Sequence, residues 1–221
     1  MSLETVLAGI LFVLYEGCTW RAIDSPEAAW NSVYQYWRRW CADGVWAQLL
    51  QHGAPSPKGK TRFLDSTHVK VHRAGCNPIG GQAAQDMGIS RGGLNTKLHA
   101  VVDLSGNPLS LTLSPGNEAD VSWAEYVTEE LTDGTLVADK AYDSDGFRCS
   151  LYERGVKPCI PPRSNRTSPE TYGKATYRKR HRVENFFERL KRYRRVATRY
   201  DKLSVTFLGF VMLAAALTLQ R

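Results

Sequence analysis

The segment Tyr177-Arg178-Lys179-Arg180-His181-Arg182-Val183-Glu184-Asn185-Phe186-Phe187-Glu188-Arg189-Leu190-Lys191 contains neither Gly nor Pro, and its large apolar residues recur at helical spacing. It is predicted as one helix. At about 100° per residue, Tyr177, Arg180, Glu184 and Lys191 fall within a stripe about 60° wide. Val183, Phe186, Phe187, Leu190 and Tyr193 occupy the opposite and adjoining arc, where they would pack on a core. A carboxylate is thereby expected at the edge of an apolar face, beside two cations and a phenol. That is how a metal-binding acid would be presented to a phosphate backbone.

Two further acids sit at the ends of apolar runs. Thr61 to Val69 reads as a strand delivering Asp65, and Thr135 to Ala138 as a short buried strand ending at Asp139. A strand end is a rigid mount for a ligand, and a helix face can close over it. Hard divalent cations take carboxylate oxygens and leave positions open for phosphate and water. Two such ions activate the attacking oxygen and stabilise the leaving one in an in-line displacement. The expectation is two Mg²⁺ (or Mn²⁺) ions, with Asp65 touching both, Asp139 one and Glu184 the other.

The order Tyr177, Arg180, Glu184, Lys191 resembles the Tyr-Arg-Glu-Lys signature of bacterial insertion-sequence transposases of the DDE type. Phe63-Leu64-Asp65-Ser66-Thr67 and Val137-Ala138-Asp139-Lys140-Ala141-Tyr142-Asp143-Ser144 are similar to that family's two aspartate motifs. So are Ser90-Arg91-Gly92-Gly93-Leu94-Asn95-Thr96-Lys97 and Ile160-Pro161-Pro162-Arg163-Ser164-Asn165-Arg166. The resemblance runs from Arg62 to the C-terminus. A weaker likeness covers Cys18-Thr19-Trp20-Arg21 and Arg39 to Trp46. It implies an RNase H-like fold, Asp65, Asp139 and Glu184 as catalytic and metal-binding acids, and a homodimer acting on paired ends of double-stranded DNA. It also implies that Arg180 and Lys191 meet phosphate oxygens, with Tyr177 stacking or hydrogen-bonding beside the scissile end.

Charge distribution points the same way. The chain carries +7 over 221 residues, yet Arg163 to Lys202 alone holds 14 Lys and Arg against 4 acids, a local +10 that leaves −3 elsewhere. Basic charge gathered around one helix is the footprint of a nucleic-acid binder, although a solvated basic helix without a partner gives the same pattern. Arg163, Arg166, Arg178, Lys179, Arg182, Arg192 and Arg195 are therefore expected to bind backbone without reading sequence. An apolar content of 43% with 23% charged residues is that of an ordinary globular protein.

The five cysteines are scattered and odd in number, which argues against a disulfide framework and suits a reducing bacterial cytoplasm, where the chain would associate with the nucleoid. Leu3 to Tyr15 is apolar but lacks a basic leader, and Val205 to Leu219 is too short to span a bilayer comfortably, so no membrane is expected.

The fold class predicted is mixed α/β (α+β). Residues 1–52 read as a small helical module for DNA-end binding, shortened relative to the resemblance. Residues 53–60 form a Gly/Pro linker, and residues 61–221 the catalytic domain with a terminal helix. Ser25-Pro26-Glu27 is a helix start, and Gly75 to Gly93 a Gly-rich loop without periodicity. Three other motifs weigh less. Gly59-Lys60-Thr61 has Ala54 where a P-loop needs glycine, and His68, His72 and Cys76 lack a fourth zinc ligand. Asp143-Ser144-Asp145-Gly146 has Ala141 at the first position of a calcium loop. The function expected is metal-dependent strand cleavage and strand transfer. A nuclease of the same fold and a transposition-incompetent DNA-binding remnant are the alternatives.

Overall fold

The computed structural model describes residues 1–219, so the last two residues of the segment 61–221 lie outside the described residues. A seven-stranded mixed sheet forms the centre. Strands β1 (Thr61–Val71), β3 (Gly93–Val102) and β4 (Pro108–Pro115) form an antiparallel meander, and β2 (Gly88–Ser90) extends the outer side of β3. On its other side β1 runs parallel to β5 (Gly134–Val137), which in turn pairs in parallel with β6 (Val156–Cys159). The two-residue β7 (Thr198–Arg199) joins the far end of β1.

Strand alternation divides the apolar residues between two cores. Phe63, Val69, Leu98, Ala100, Val102 and Val137 face one side, while Leu64, Val101, Leu136 and Ala138 face the other. The second core is closed by α4 (Asp120–Val127) and α5 (Asp145–Glu153), through Ala124, Val127, Phe147 and Leu151. The first is closed by α7 (His181–Lys191) and α9 (Ser204–Leu217). α7 is too short and too charged to be stable alone. Its buried Val183, Phe186, Phe187 and Leu190 contribute about 1.5–3 kcal/mol each, so packing decides its place.

Helices α1 (Leu3–Glu16), α2 (Trp30–Ala42) and α3 (Val45–Gly53) make residues 1–53 helical. They share the first core rather than forming one of their own. Trp37 stacks on Phe210 of α9 with ring centroids 3.9 Å apart, and Val6, Ile10 and Trp46 belong to the same cluster. The division near residues 53–60 is thus a change of secondary structure within continuous packing. The tryptophan-rich stripe fills this core.

Several expectations need correction. Helix α2 begins at Trp30, because Ser25 accepts the amide of Glu27 in a local turn and Ala29 is extended. The Gly75–Gly93 stretch follows a 3-10 turn, Arg73–Gly75, and contains another, Ala83–Gln85, together with β2, since Gly88 to Ser90 finds a pairing edge on β3. The residues Val121 to Leu131, whose sequence reads as helical throughout, form a helix only as far as Val127, where α4 stops and the Thr128 hydroxyl bonds back to Ala124 O. The segment Tyr177–Lys191 is not one uniform helix. α6 (Lys174–Tyr177) passes through a 3-10 turn, Arg178–Arg180, into α7. Three adjacent cations at a helix N-terminus oppose its dipole, and the tighter turn aims Arg180 at β1. After it come the short α8 (Arg194–Ala197) and α9. No helix among the described residues is long and apolar enough to cross a membrane.

Candidate active site

The register of two parallel strands brings two of the acids together. Thr61 pairs with Thr135 and Phe63 with Val137, so Asp65 and Asp139, each two residues further on, fall side by side on neighbouring chain paths. Neighbouring strands lie about 4.8 Å apart. Asp65 shares the face of Phe63, the one covered by α7. Asp139 caps the 3-10 turn Lys140–Tyr142, its Oδ1 accepting the Ala141 amide at 2.8 Å.

Helix α7 lays its polar edge over this pair. Arg180 donates from Nη1 to Asp65 Oδ2 at 2.8 Å and from Nη2 to Glu184 Oε1, bridging the strand acid and the helix acid. The Ser66 amide holds the other oxygen of Asp65 at 2.9 Å. Burial pushes the Asp65 carboxyl up to about 6, with Arg180 opposing and Asp139 reinforcing the rise. Burial works against the charge of Arg180, but Asp65 and Glu184 outweigh it and keep its value above the ordinary one. Tyr177 is half-buried against Tyr172. Burial raises its hydroxyl, Arg180 opposes, and Asp139 adds to the rise. Lys191 lies further along β1, donating to Thr67 Oγ1 at 2.6 Å, and burial lowers its amine.

The donor chemistry fits a hard divalent cation. Asp65, Asp139 and Glu184 offer oxygen only, and two of them share a buried site with incomplete positive compensation. As they stand, Arg180 supplies that positive charge, and among the described residues no three His, Cys, Asp or Glu side chains converge into a metal cage. The oxygen donors of these three acids are the chemistry that a cation would use here.

The basic residues sort into two groups. Arg178, Lys179, Arg182 and Arg192 are exposed. Arg163, itself exposed, and the half-buried Arg166 instead spend donors on the protein's own groups. Arg163 holds Lys140 O and Ala141 O at 3.2 and 2.7 Å, and Arg166 holds Asp143 at 3.0 Å. They tie the Asp139 turn to the loop after β6, beside a cleft of about 310 Å³ lined by Asp139, Lys140, Ala141, Arg163, Ser164 and Asn165. Arg195, expected on the surface, is buried. It grips both oxygens of Asp201 at 3.0 and 3.1 Å and the carbonyl of Cys18. Of the weaker motifs, His68 bonds Asn95, His72 lies against Tyr200, and Lys60 pairs with Asp133. Asp143 is fully enclosed by Arg148 and Arg166.

Sequence reading assigns no role to Lys97, Asp120 or Ser66. Lys97 Nζ lies 2.8 Å from Asp120 Oδ1, and Ser66 donates to the same oxygen at 2.8 Å, on the sheet face opposite Asp65. The one signal for them is a lone lysine within the otherwise buried strand Leu94–Val102.

Comparison with known proteins identifies the family. Residues 56–219 match the family model described as "Transposase DDE domain", and residues 1–50 match one described as "Putative transposase of IS4/5 family". The chain is 40% identical over 126 residues to the "Putative transposase for insertion sequence element IS6501" of Brucella ovis, covering 56% of this chain and 97% of that one. Among solved structures it resembles the piggyBac transposase of a synaptic complex with hairpin DNA, at TM-score 0.57 and 10% identity. That match covers 96% of this chain and 63% of the other, and shows likeness of fold alone, an RNase H-like one.

Proposed function

From the premise that this chain belongs to the DDE transposases of insertion sequences, we propose that it cleaves DNA at the ends of its element and joins the freed ends to target DNA. The observation that carries this reading is the parallel register setting Asp65 beside Asp139, with Glu184 of the covering helix linked to Asp65 by Arg180. Asp65, Asp139 and Glu184 would hold two divalent ions, Mg²⁺ or Mn²⁺, with Asp65 common to both. Such ions, when bound, supply charge neutralisation for an in-line displacement at phosphorus.

The chain's own residues do the rest. Asp65 is fixed within β1 rather than at its end, and Asp139 lies just beyond the end of β5, so the scissile phosphate meets a rigid floor. Arg180 leaves the acids for a phosphate oxygen as the site fills, and Lys191, one helix length away, takes another. Tyr177 borders the same opening. Arg178, Lys179, Arg182 and Arg192 would follow the backbone electrostatically. Arg163 and Arg166 steady the Asp139 turn, and any contact they make with DNA comes second. The partner is double-stranded DNA, both element ends and target, met as a homodimer in the cytoplasm at the nucleoid. In-line attack by water and then by a DNA 3′-hydroxyl needs no covalent protein nucleophile.

The deciding experiment is Mg²⁺-dependent joining of a labelled, precleaved element end to plasmid DNA, for this chain and for Glu184→Gln. Joined product that disappears in the variant supports the proposal. Cleavage without joining would make the chain a nuclease. Salt-sensitive DNA binding with neither activity would make it a binding remnant.

A further inference from the structure

Asp65 is held on the α7 face by a guanidinium and by its own strand's backbone, and the residue that supplies the backbone amide also reaches the opposite face. On the α7 face Arg180 takes Oδ2. From the strand itself the Ser66 amide takes Oδ1. Strand alternation sends the Ser66 side chain to the opposite face, where its hydroxyl donates to Asp120 Oδ1 at 2.8 Å. Asp120 opens α4, where the helix dipole favours a carboxylate. Lys97 reaches it from β3 at 2.8 Å and also donates to Glu118 O at 2.6 Å. The ammonium side chain is 8% exposed and its partner carboxylate 23%.

A charge pair in this setting is costly for a fold. Desolvation of a buried pair offsets its attraction, and an apolar pair of similar volume is often as stable or more so. Val101 and Leu64, on the same face, show that the surroundings accept apolar side chains. Tyr142 adds a second polar group there. It is 1% exposed and its hydroxyl lies near Ser66, among Asp65, Asp120 and Asp139. A buried phenol and an ion pair thus converge behind one carboxylate, with Ser66 as the link.

We propose that Lys97 and Asp120 position Asp65: the ion pair clamps the Ser66 hydroxyl from the far face, and the Ser66 amide then fixes which way the Asp65 carboxylate presents its free oxygen to the cation site. The inference rests on the reading of Asp65 as a metal ligand. Lys97, Asp120 and Ser66 are positioning residues and touch neither DNA nor metal.

The test is Mn²⁺ affinity of the full chain, measured by electron paramagnetic resonance titration, with urea unfolding run beside it. Ser66→Ala removes only the link and leaves the two charges paired. It should unfold at the parent's urea midpoint and bind Mn²⁺ about tenfold more weakly, as outer-shell changes do. Lys97→Met with Asp120→Leu should unfold at the parent's midpoint or above and show the same loss. Asp65→Asn separates the two levels of the reading. If parent affinity does not depend on Asp65, the metal reading fails and the inference with it. If it does depend on Asp65 and Ser66→Ala binds Mn²⁺ as tightly as the parent, the positioning role alone is overturned.

Discussion

Nη1 of Arg180 lies 2.8 Å from Oδ2 of Asp65, a contact that closes 115 residues of chain and joins the turn before α7 to the middle of β1. The signature arginine therefore faces the acids and supplies their counter-charge. Its second nitrogen holds Glu184, so one guanidinium serves both elements.

The buried carboxyl of Asp65 makes stability depend on pH. Its value is raised to about 6, so the folded chain binds more protons than the unfolded one between about pH 4 and 6. Stability from this group is highest below that window and falls as pH rises through it, by about 3 kcal/mol at neutral pH. Asp65→Asn should remove the decline and stabilise the metal-free protein at pH 7 relative to the parent. Urea unfolding from pH 4 to 7 in chelator measures it, and an unchanged pH slope would show that Asp65 is not raised.

Exposed and buried arginines of the basic segment should separate cleanly. Replacing Arg178 and Arg182 with Ala is expected to leave stability unchanged and to lower the log–log salt slope of DNA binding by about 0.9 for each phosphate that is no longer neutralised. Arg195→Met should do the reverse. It leaves Asp201 buried without its bidentate partner, at a cost of about 3–5 kcal/mol, with the slope of the folded fraction unchanged. A slope that responds to Arg195 would overturn its burial.

Much of the site is legible in the sequence because its parts are local. Spacing on one helix puts Arg180, Glu184 and Lys191 on a shared stripe, and apolar runs locate both strands that carry the aspartates, although Asp65 lies inside β1 rather than at its end. What no local pattern carries is the parallel pairing of β1 with β5, which decides that Asp65 and Asp139 are neighbours. The same holds for Lys97, whose partner lies 23 residues away on a helix end. Charge counting also misleads at Arg195, which is expected to bind backbone but is buried against Asp201. The uniform helix predicted over Tyr177–Lys191 ignores that Arg180 must reach a strand, which the 3-10 turn accomplishes.

Shared packing of the N-terminal helices with the catalytic core predicts a sensitive position far from the acids. Gly209 on α9 meets the first core so closely that an added Cβ would stand 2.6 Å from Cys41 Sγ and 3.2 Å from Trp37 and Trp46. Gly209→Ala should destabilise the whole chain by about 1–3 kcal/mol despite the better helix propensity of Ala. A single cooperative urea transition shifted to lower midpoint is the expected record. Stability equal to the parent's would mean that α2 and α3 do not pack on α9 in solution.

Arg180→Gln tests whether one guanidinium alternates between acids and DNA. With it gone, Asp65 and Glu184 lose their internal counter-charge, so the acids should bind Mn²⁺ more tightly than in the parent. The same change removes a donor aimed at phosphate, and removal of one such donor from a preorganised site costs about 10²–10³ in rate. Joining should therefore slow while metal affinity rises. A purely structural arginine would weaken both together, because a loosened helix carries Glu184 away from Asp65. Opposite signs in the titration and the joining assay support exchange of Arg180 between acids and DNA. Parallel losses would assign it to holding α7 in place.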